Sequence, residues 1–387
     1  MLTSPSLTKI APTSKAKFEK LLYIDNIKIM LTLLVVLHHA CITYGGSGGW
    51  YLKEATHEMG ALIPMTLFVS LNQSYFMGFF FLLAAYFTYS SYHRKGPEQF
   101  ITDRLVRLGI PLLFYSFVLS PFLSFMVYHW GKGHTISYIE YLHVFDGWID
   151  FGVLWFVAAL LFFTLVYVLC AGVTRKWVQK PRAAPGTGTI LFAAVILGLI
   201  TFLIRIVFPV GWVLKPLGFQ LGHFPQYISL FVAGLLASKN NWFDQLPLRM
   251  GKQMLGVALS GLLFFPVFYL LRIKLDLPME WYSGGFNLLS LLYSVWEQCI
   301  GFSIITAFLC FGKQYWNGTT PLISRLSRSA FAVYIFHPLV LIALSIAFLN
   351  WTVDPALKLL FVAPLSVLGS FLFGLLILFI PGTKRVV

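Results

Sequence analysis

Apolar runs long enough to cross a bilayer, about 20 residues each, recur ten times along this chain of 387 residues. They lie near 22–44, 64–91, 105–129, 150–171, 189–208, 218–237, 253–272, 285–312, 322–349 and 357–380. The runs are uninterrupted aliphatic and aromatic stretches, not the strict alternation of a membrane barrel. In hydrocarbon every backbone N–H and C=O must bond within its own segment, so each run is expected to be a helix. The polar gaps between runs are too short for a second domain. The pattern predicts an all-α integral membrane protein of about ten transmembrane helices, one domain over 22–380, preceded by a polar segment 1–21 and followed by a tail 381–387.

Charge orients this bundle. With the N-terminus placed in the cytoplasm, twenty of the 28 Lys and Arg fall in cytoplasmic segments and six outside; Lys28 and Arg205 stay within spans. That bias predicts that both termini and the loop 172–188 are cytoplasmic, in a multi-pass protein of the cell membrane. Composition agrees: 58% of residues are hydrophobic and 11% charged, and the mean hydropathy is +0.79, where a soluble domain carries about 25% charged residues. The net charge of +14 is scattered singly or in small groups, which reports topology and not nucleic acid. Met1–Lys20 lacks the apolar core of a cleaved signal peptide, so the first run is expected to remain as a span. Cys41, Cys170, Cys299 and Cys310 lie in apolar runs with no CxxC or metal spacing and read as small hydrophobes; no metal is expected. The outer loops are acidic or neutral and rich in aromatic residues and His, Trp50, Trp148 and Trp281 among them. An interfacial aromatic belt and a stacking surface for an external sugar are both open readings.

The first span holds ionisable groups that a bilayer penalises. Tyr23–Tyr44 reads YIDNIKIMLTLLVVLHHACITY. At 100° per residue, Lys28 and His39 fall about 20° apart on one helix face, with about 16 Å between them along the axis. Asp25 lies about 40° to the other side of His39, and His38 points about 100° away. Asp25 and Lys28, three apart, can pair. One face thus carries an acid, a base and a deeper imidazole. The residues alone leave two readings open: a hydrogen-bonded structural His with snorkelling charges, or a neutral imidazole acting as general base. Glu297 sits mid-span with no basic sequence neighbour, so its partner must come from another helix. It is a candidate to orient His39, to bind an acceptor hydroxyl, or to make a structural hydrogen bond. Arg205, near the end of its span, is expected to snorkel.

Five segments in order resemble the membrane acyltransferase-3 family. That family's first span carries Arg or Lys, ten residues, then His; here these are Lys28 and His39, and Asp25 fits the Leu-Asp-x-x-Arg start with Ile24 and Lys28 as departures. Tyr75–Phe87, YFMGFFFLLAAYF, is similar to the family's FFMGFFFLLAAYF run, with Ala84-Ala85 where many members have Ser-Gly. Arg104–Leu113, RLVRLGIPLL, resembles its RxxR-x-x-x-P segment. Leu154-Trp155-Phe156 resembles Leu-Trp-Phe, with Val153 where His usually stands. Ala332–Pro338, AVYIFHP, resembles the Tyr-x-x-x-x-His segment of the penultimate span. The resemblance covers nearly the whole chain.

It implies transfer of an acyl group, usually acetyl, from cytoplasmic acetyl-CoA or another acyl-CoA to a hydroxyl of an extracytoplasmic sugar, glycan or lipid-linked acceptor. His39 would be the base, with Asp25, Lys28 and Glu297 in the catalytic group. Arg104 and Arg107, three apart on one face, would bind the CoA phosphates through guanidinium forks, although the positive-inside rule alone would also put them there. Trp155 and His337 are expected to bind substrate. The alternative is a transporter of a glycan or acylated metabolite without acyl-transfer chemistry; it would favour inverted repeats, and none is evident between the two halves. No P-loop, G-x-S-x-G or HExxH occurs, which weighs against ATP-driven transport by this chain alone.

Overall fold

In the computed structural model the chain folds as a helical bundle. The structure describes residues 21–177, 181–383 and 386. The expected segment 1–21 therefore lies, but for Leu21, outside the described residues, as do Lys180 of the loop 172–188 and Lys384 and Arg385 of the tail. The helices are α1 (Leu22–Thr43), α2 (Met59–Gln73), α3 (Phe76–Lys95), α4 (Pro97–Gly131), α5 (Tyr138–Val144), α6 (Trp155–Trp177), α7 (Thr187–Val207), α8 (Phe224–Asn240), α9 (Leu248–Lys274), α10 (Leu288–Tyr315), α11 (Pro321–Ala347) and α12 (Pro355–Ile377). One isolated bridge, Leu214 to Phe219, is the β pairing among the described residues.

Among the described residues, nine segments are long and apolar enough to span a membrane, α2 and α3 counting as one. The run expected at 218–237 forms α8 instead, 17 residues after a 3-10 turn at Leu221–His223. At 1.5 Å per residue it is about 26 Å long, slightly short of the hydrocarbon thickness. Large apolar side chains face outward along α7, α9 and α12, among them Leu199, Leu203, Leu259, Leu270, Leu360 and Leu368. Such outward-facing surface is the signature of a protein solvated by lipid.

Close helix contacts come from small residues, as they do where packing in lipid lacks a hydrophobic drive. A Cβ on Gly78 of α3 would meet Leu230 of α8 at 2.5 Å, and one on Gly198 of α7 would meet the Val295 Cα of α10 at 2.6 Å. α2 and α3 part at Ser74–Tyr75. The freed Ser74 carbonyl accepts from Gln226 Nε2 of α8 at 2.7 Å, so a neighbouring helix satisfies an acceptor that the break exposes.

α4 is interrupted by π-turns at Leu105–Gly109, Tyr115–Leu119 and Val127–Gly131. The first two precede Pro111 and Pro121. Proline has no N–H to give, and its ring clashes with the carbonyl four residues back; widening the preceding turn relieves both.

α1 is central, packing against α2, α3, α10, α11 and α12. It has no Gly or Pro between Leu22 and Thr43 and runs unbroken. It ends where Gly45 and Gly48 take φ of +142° and +136°, a region in which a Cβ is strained. The turn sends Trp50 back over the end of α1. The following loop is pinned at two points on α12: Glu54 pairs with Lys358, and Thr56 Oγ1 donates to Asp354 at 3.0 Å.

Candidate active site

Two places on α1 carry chemistry, at opposite ends of one face. At the end where α1 begins, a cavity of about 2200 Å³ is lined by Asp25, Lys28 and Thr32 of α1, Arg104 and Arg107 of α4, and Arg325 and Arg328 of α11. Lys28 Nζ lies 3.4 Å from Asp25 Oδ1 and 4.6 Å above the Phe87 ring. Arg104 donates to Thr88 Oγ1 at 3.2 Å, and its guanidinium stacks on Phe100 at 5.0 Å. Four expected residues, Asp25, Lys28, Arg104 and Arg107, thus share one basic chamber.

His39 lies toward the other end of α1, half-buried, and its partner is His337 of α11. Nε2 of His337 is 3.0 Å from Nδ1 of His39. The far nitrogen of His337, Nδ1, lies 2.9 Å from the Tyr334 carbonyl. A carbonyl only accepts, so Nδ1 of His337 carries hydrogen, and in the neutral ring Nε2 is then an acceptor. His39 must donate to it from Nδ1. The tautomer so assigned leaves the lone pair of His39 on Nε2. Trp50 covers the pair: its ring stacks on His39 with centroids 4.2 Å apart and 20° between planes.

His38 is turned elsewhere, as the helix geometry requires. It is buried, its Nδ1 lies 3.3 Å from Asn72 Nδ2 of α2, and it stacks on Phe76 at 4.9 Å.

The remaining expected site residues do not join the histidine pair. Asp25 and Lys28 share its helix face but lie toward the other end of α1, and the side-chain partner of His39 is a second imidazole, that of His337. Glu297 is 1% exposed and pairs with Arg205, 0% exposed, at 2.5 Å. Arg205 does not snorkel. Its other donors reach the Gly222 carbonyl at 3.2 Å and Ser294 Oγ at 3.3 Å, because a guanidinium already facing an in-span carboxylate gains nothing by leaving it. His223 completes the cluster, with Nδ1 3.3 Å from Glu297 Oε1. Trp155 packs on Tyr227, centroids 5.6 Å apart, away from the chamber lining. His337, expected at the substrate, bonds His39.

Sequence reasoning missed Trp50 as the cover of His39 and Tyr334 as the anchor of His337. Tyr334 also donates from its hydroxyl to the Val153 carbonyl, at the position where the family pattern usually has His. Arg325 and Arg328 were counted only toward topology.

Comparison with known proteins fits this arrangement. Residues 21–375 match the acyltransferase-3 model, described as "Acyltransferase domain". Relatives named "Glucans biosynthesis protein C" include those of Salmonella paratyphi B and Salmonella heidelberg, each 22% identical over 338 residues, and that of Salmonella paratyphi A, 23% identical over 337 residues. In each case 82% of this chain and 82% of the relative are covered. No solved structure matches. The family model spans nearly the whole helical bundle, including both histidines and the basic chamber, and the chain belongs to the acyltransferase-3 family of membrane acyltransferases.

Proposed function

We propose that the protein transfers an acyl group, acetyl first among candidates, from cytoplasmic acyl-CoA to a hydroxyl of an extracytoplasmic glycan. The observation that carries this reading is the His39–His337 hydrogen bond, anchored on the Tyr334 carbonyl, which assigns the lone pair of His39 to Nε2 at the opposite end of α1 from the basic chamber. The chamber suits a polyanionic donor, because Arg104 and Arg107 offer guanidinium forks to phosphate. The relatives' name, glucans biosynthesis protein C, makes glucans the first acceptors to try.

The acceptor O–H gives its proton to His39 Nε2 as its oxygen bonds to the thioester carbonyl carbon. The tetrahedral intermediate collapses with cleavage of the C–S bond, and the departing thiolate takes the proton from His39. While His39 is positively charged, its Nδ1–H bond to His337 becomes charge-assisted and strengthens. His337 thereby fixes the tautomer and favours the protonated state, and its Tyr334 anchor keeps the accepting nitrogen in place.

Transfer of label from [14C]acetyl-CoA to a glucan oligosaccharide, by purified protein in liposomes, tests the proposal. Labelled glucan that requires the protein is expected. Label remaining on CoA across a panel of glycan acceptors and acyl chain lengths would overturn it.

A further inference from the structure

Besides the expected Arg104 and Arg107, a second pair with the same three-residue spacing, Arg325 and Arg328, opens α11 and lines the same chamber. The positive-inside rule accounts for the sign of these residues. It does not account for basic side chains from α1, α4 and α11 converging on one cavity.

Their depth is informative. α1 and α11 run parallel and are level at the His39–His337 bond. Measured back from that bond at 1.5 Å per residue, Arg328 lies about 13 Å away, Lys28 about 16 Å and Arg325 about 18 Å. Arg104 belongs to the same tier, since it bonds Thr88 while Lys28 rests on the neighbouring Phe87. Three helices thus set cations at one level below the base.

An acyl-CoA links its thioester sulfur to its first phosphorus through about thirteen bonds, and an extended chain advances about 1.2 Å per bond, or about 15 Å in all. With the thioester at His39 and the arm running past Tyr334 and Thr32, both on the chamber wall, the pyrophosphate falls at this tier. We propose that Arg325 and Arg328 form the second jaw of a pyrophosphate clamp, facing Lys28 and Arg104, and that the clamp measures off the arm so that the thioester stops at His39. Arg325 and Arg328 are then donor-binding residues, and this assignment rests on the acyl-CoA reading above. Charge-assisted bonds from both sides would hold the diester more firmly than either jaw alone.

The test compares the wild type with R325Q/R328Q, using acetyl-CoA, acetyl-dephospho-CoA (which keeps the pyrophosphate but lacks the 3′-phosphate) and S-acetyl-pantetheine (which has neither). The expected result is at least about a tenfold rise in KM for both nucleotide donors. Turnover at saturation stays within about twofold, and the rate with S-acetyl-pantetheine is unchanged. R325K/R328K, which keeps the charge but not the fork, should fall between. R249Q/K252Q, on α9 and off the chamber lining, controls for a general loss of positive charge. Several results would overturn the clamp: unchanged KM values, an effect on acetyl-CoA alone, or an equal loss with S-acetyl-pantetheine. The second would assign the pair to the 3′-phosphate; the third would mean a structural defect. If the wild type itself neither binds nor uses acyl-CoA, the donor reading fails first and takes the clamp with it.

Discussion

Nδ1 of His39 and Nε2 of His337 are 3.0 Å apart although 298 residues separate them in the chain. The contact gives the two imidazoles unequal parts. The Nδ1 of His39 meets His337, while both nitrogens of His337 are committed, one to His39 and one to the Tyr334 carbonyl.

That inequality sets the first prediction. His39→Ala should lower kcat by about 10² to 10⁴, the usual contribution of a general base. His337→Gln, which retains an acceptor near His39, should lower kcat less and leave the KM for acyl-CoA unchanged. Steady-state kinetics in liposomes measure both. A His337→Gln enzyme as inactive as His39→Ala, or one with raised KM and normal kcat, would contradict a positioning role.

His38 should behave in the opposite way. His38→Ala removes one of the two partners of the buried Asn72 amide, which keeps the Leu34 carbonyl, and the stacking contact with Phe76. Losing a buried hydrogen bond costs about 0.5–1.5 kcal/mol, so the apparent melting temperature in detergent should fall. Activity at a temperature where the variant is folded should remain substantial. Loss of turnover without loss of stability would place His38 in the reaction.

The Arg205–Glu297 pair predicts a non-additive cycle. Removing one partner of a buried ion pair costs about 3–5 kcal/mol because the other charge is stranded. Glu297→Leu and Arg205→Met should each sharply reduce the yield of folded protein. The double change Arg205→Met with Glu297→Leu should recover much of it. Thermal unfolding followed by size-exclusion fluorescence reads all four corners of the cycle, and strict additivity would show that the pair is not coupled.

Orientation can be tested by single cysteines in a background lacking Cys41, Cys170, Cys299 and Cys310. Gly318→Cys, in the loop before α11, should be protected from an impermeant maleimide in intact cells, whereas Ser47→Cys, in the loop after α1, should be labelled. The reverse pattern would invert the proposed topology.

Much of this architecture was legible because bilayer physics writes itself plainly into sequence. Unbroken apolar runs marked the spans, and helix periodicity separated His38 from His39. The α8 run came out short because Gly218, Gly222 and Pro225 crowd its start, and only Phe224–Asn240 is regular helix. What stayed hidden was contact across the chain. Nothing local to His39 points to His337, although a histidine beside an in-span proline is itself a warning that a polar group lies in the bundle. The partner of Glu297 could have been found: Lys28 and Arg205 were the two basic residues assigned to spans, and Lys28 already had Asp25 within reach. The roles of Trp50 and Tyr334 depend on loop folding and on backbone carbonyls, which side-chain patterns do not encode.

The π-turns of α4 bear on how this sequence can tolerate insertions and deletions. A π-turn accommodates about one residue more than the α-helix around it, so it offsets the two flanking segments by about 100°. Arg104 lies just before the first such turn, and Tyr115, whose hydroxyl meets Tyr51 at 2.8 Å, opens the second. Deleting one residue within Leu105–Gly109 would therefore restore an α-turn and remove the extra residue together with its offset, so that Arg104 and Tyr115 could both keep their present neighbours, whereas the same deletion in a regular stretch of α4 would rotate one end against the other by about 100°. Alignments of distant members should accordingly place single-residue gaps within these π-turns, since a gap absorbed there would be a change of phase in the regular helix beside it.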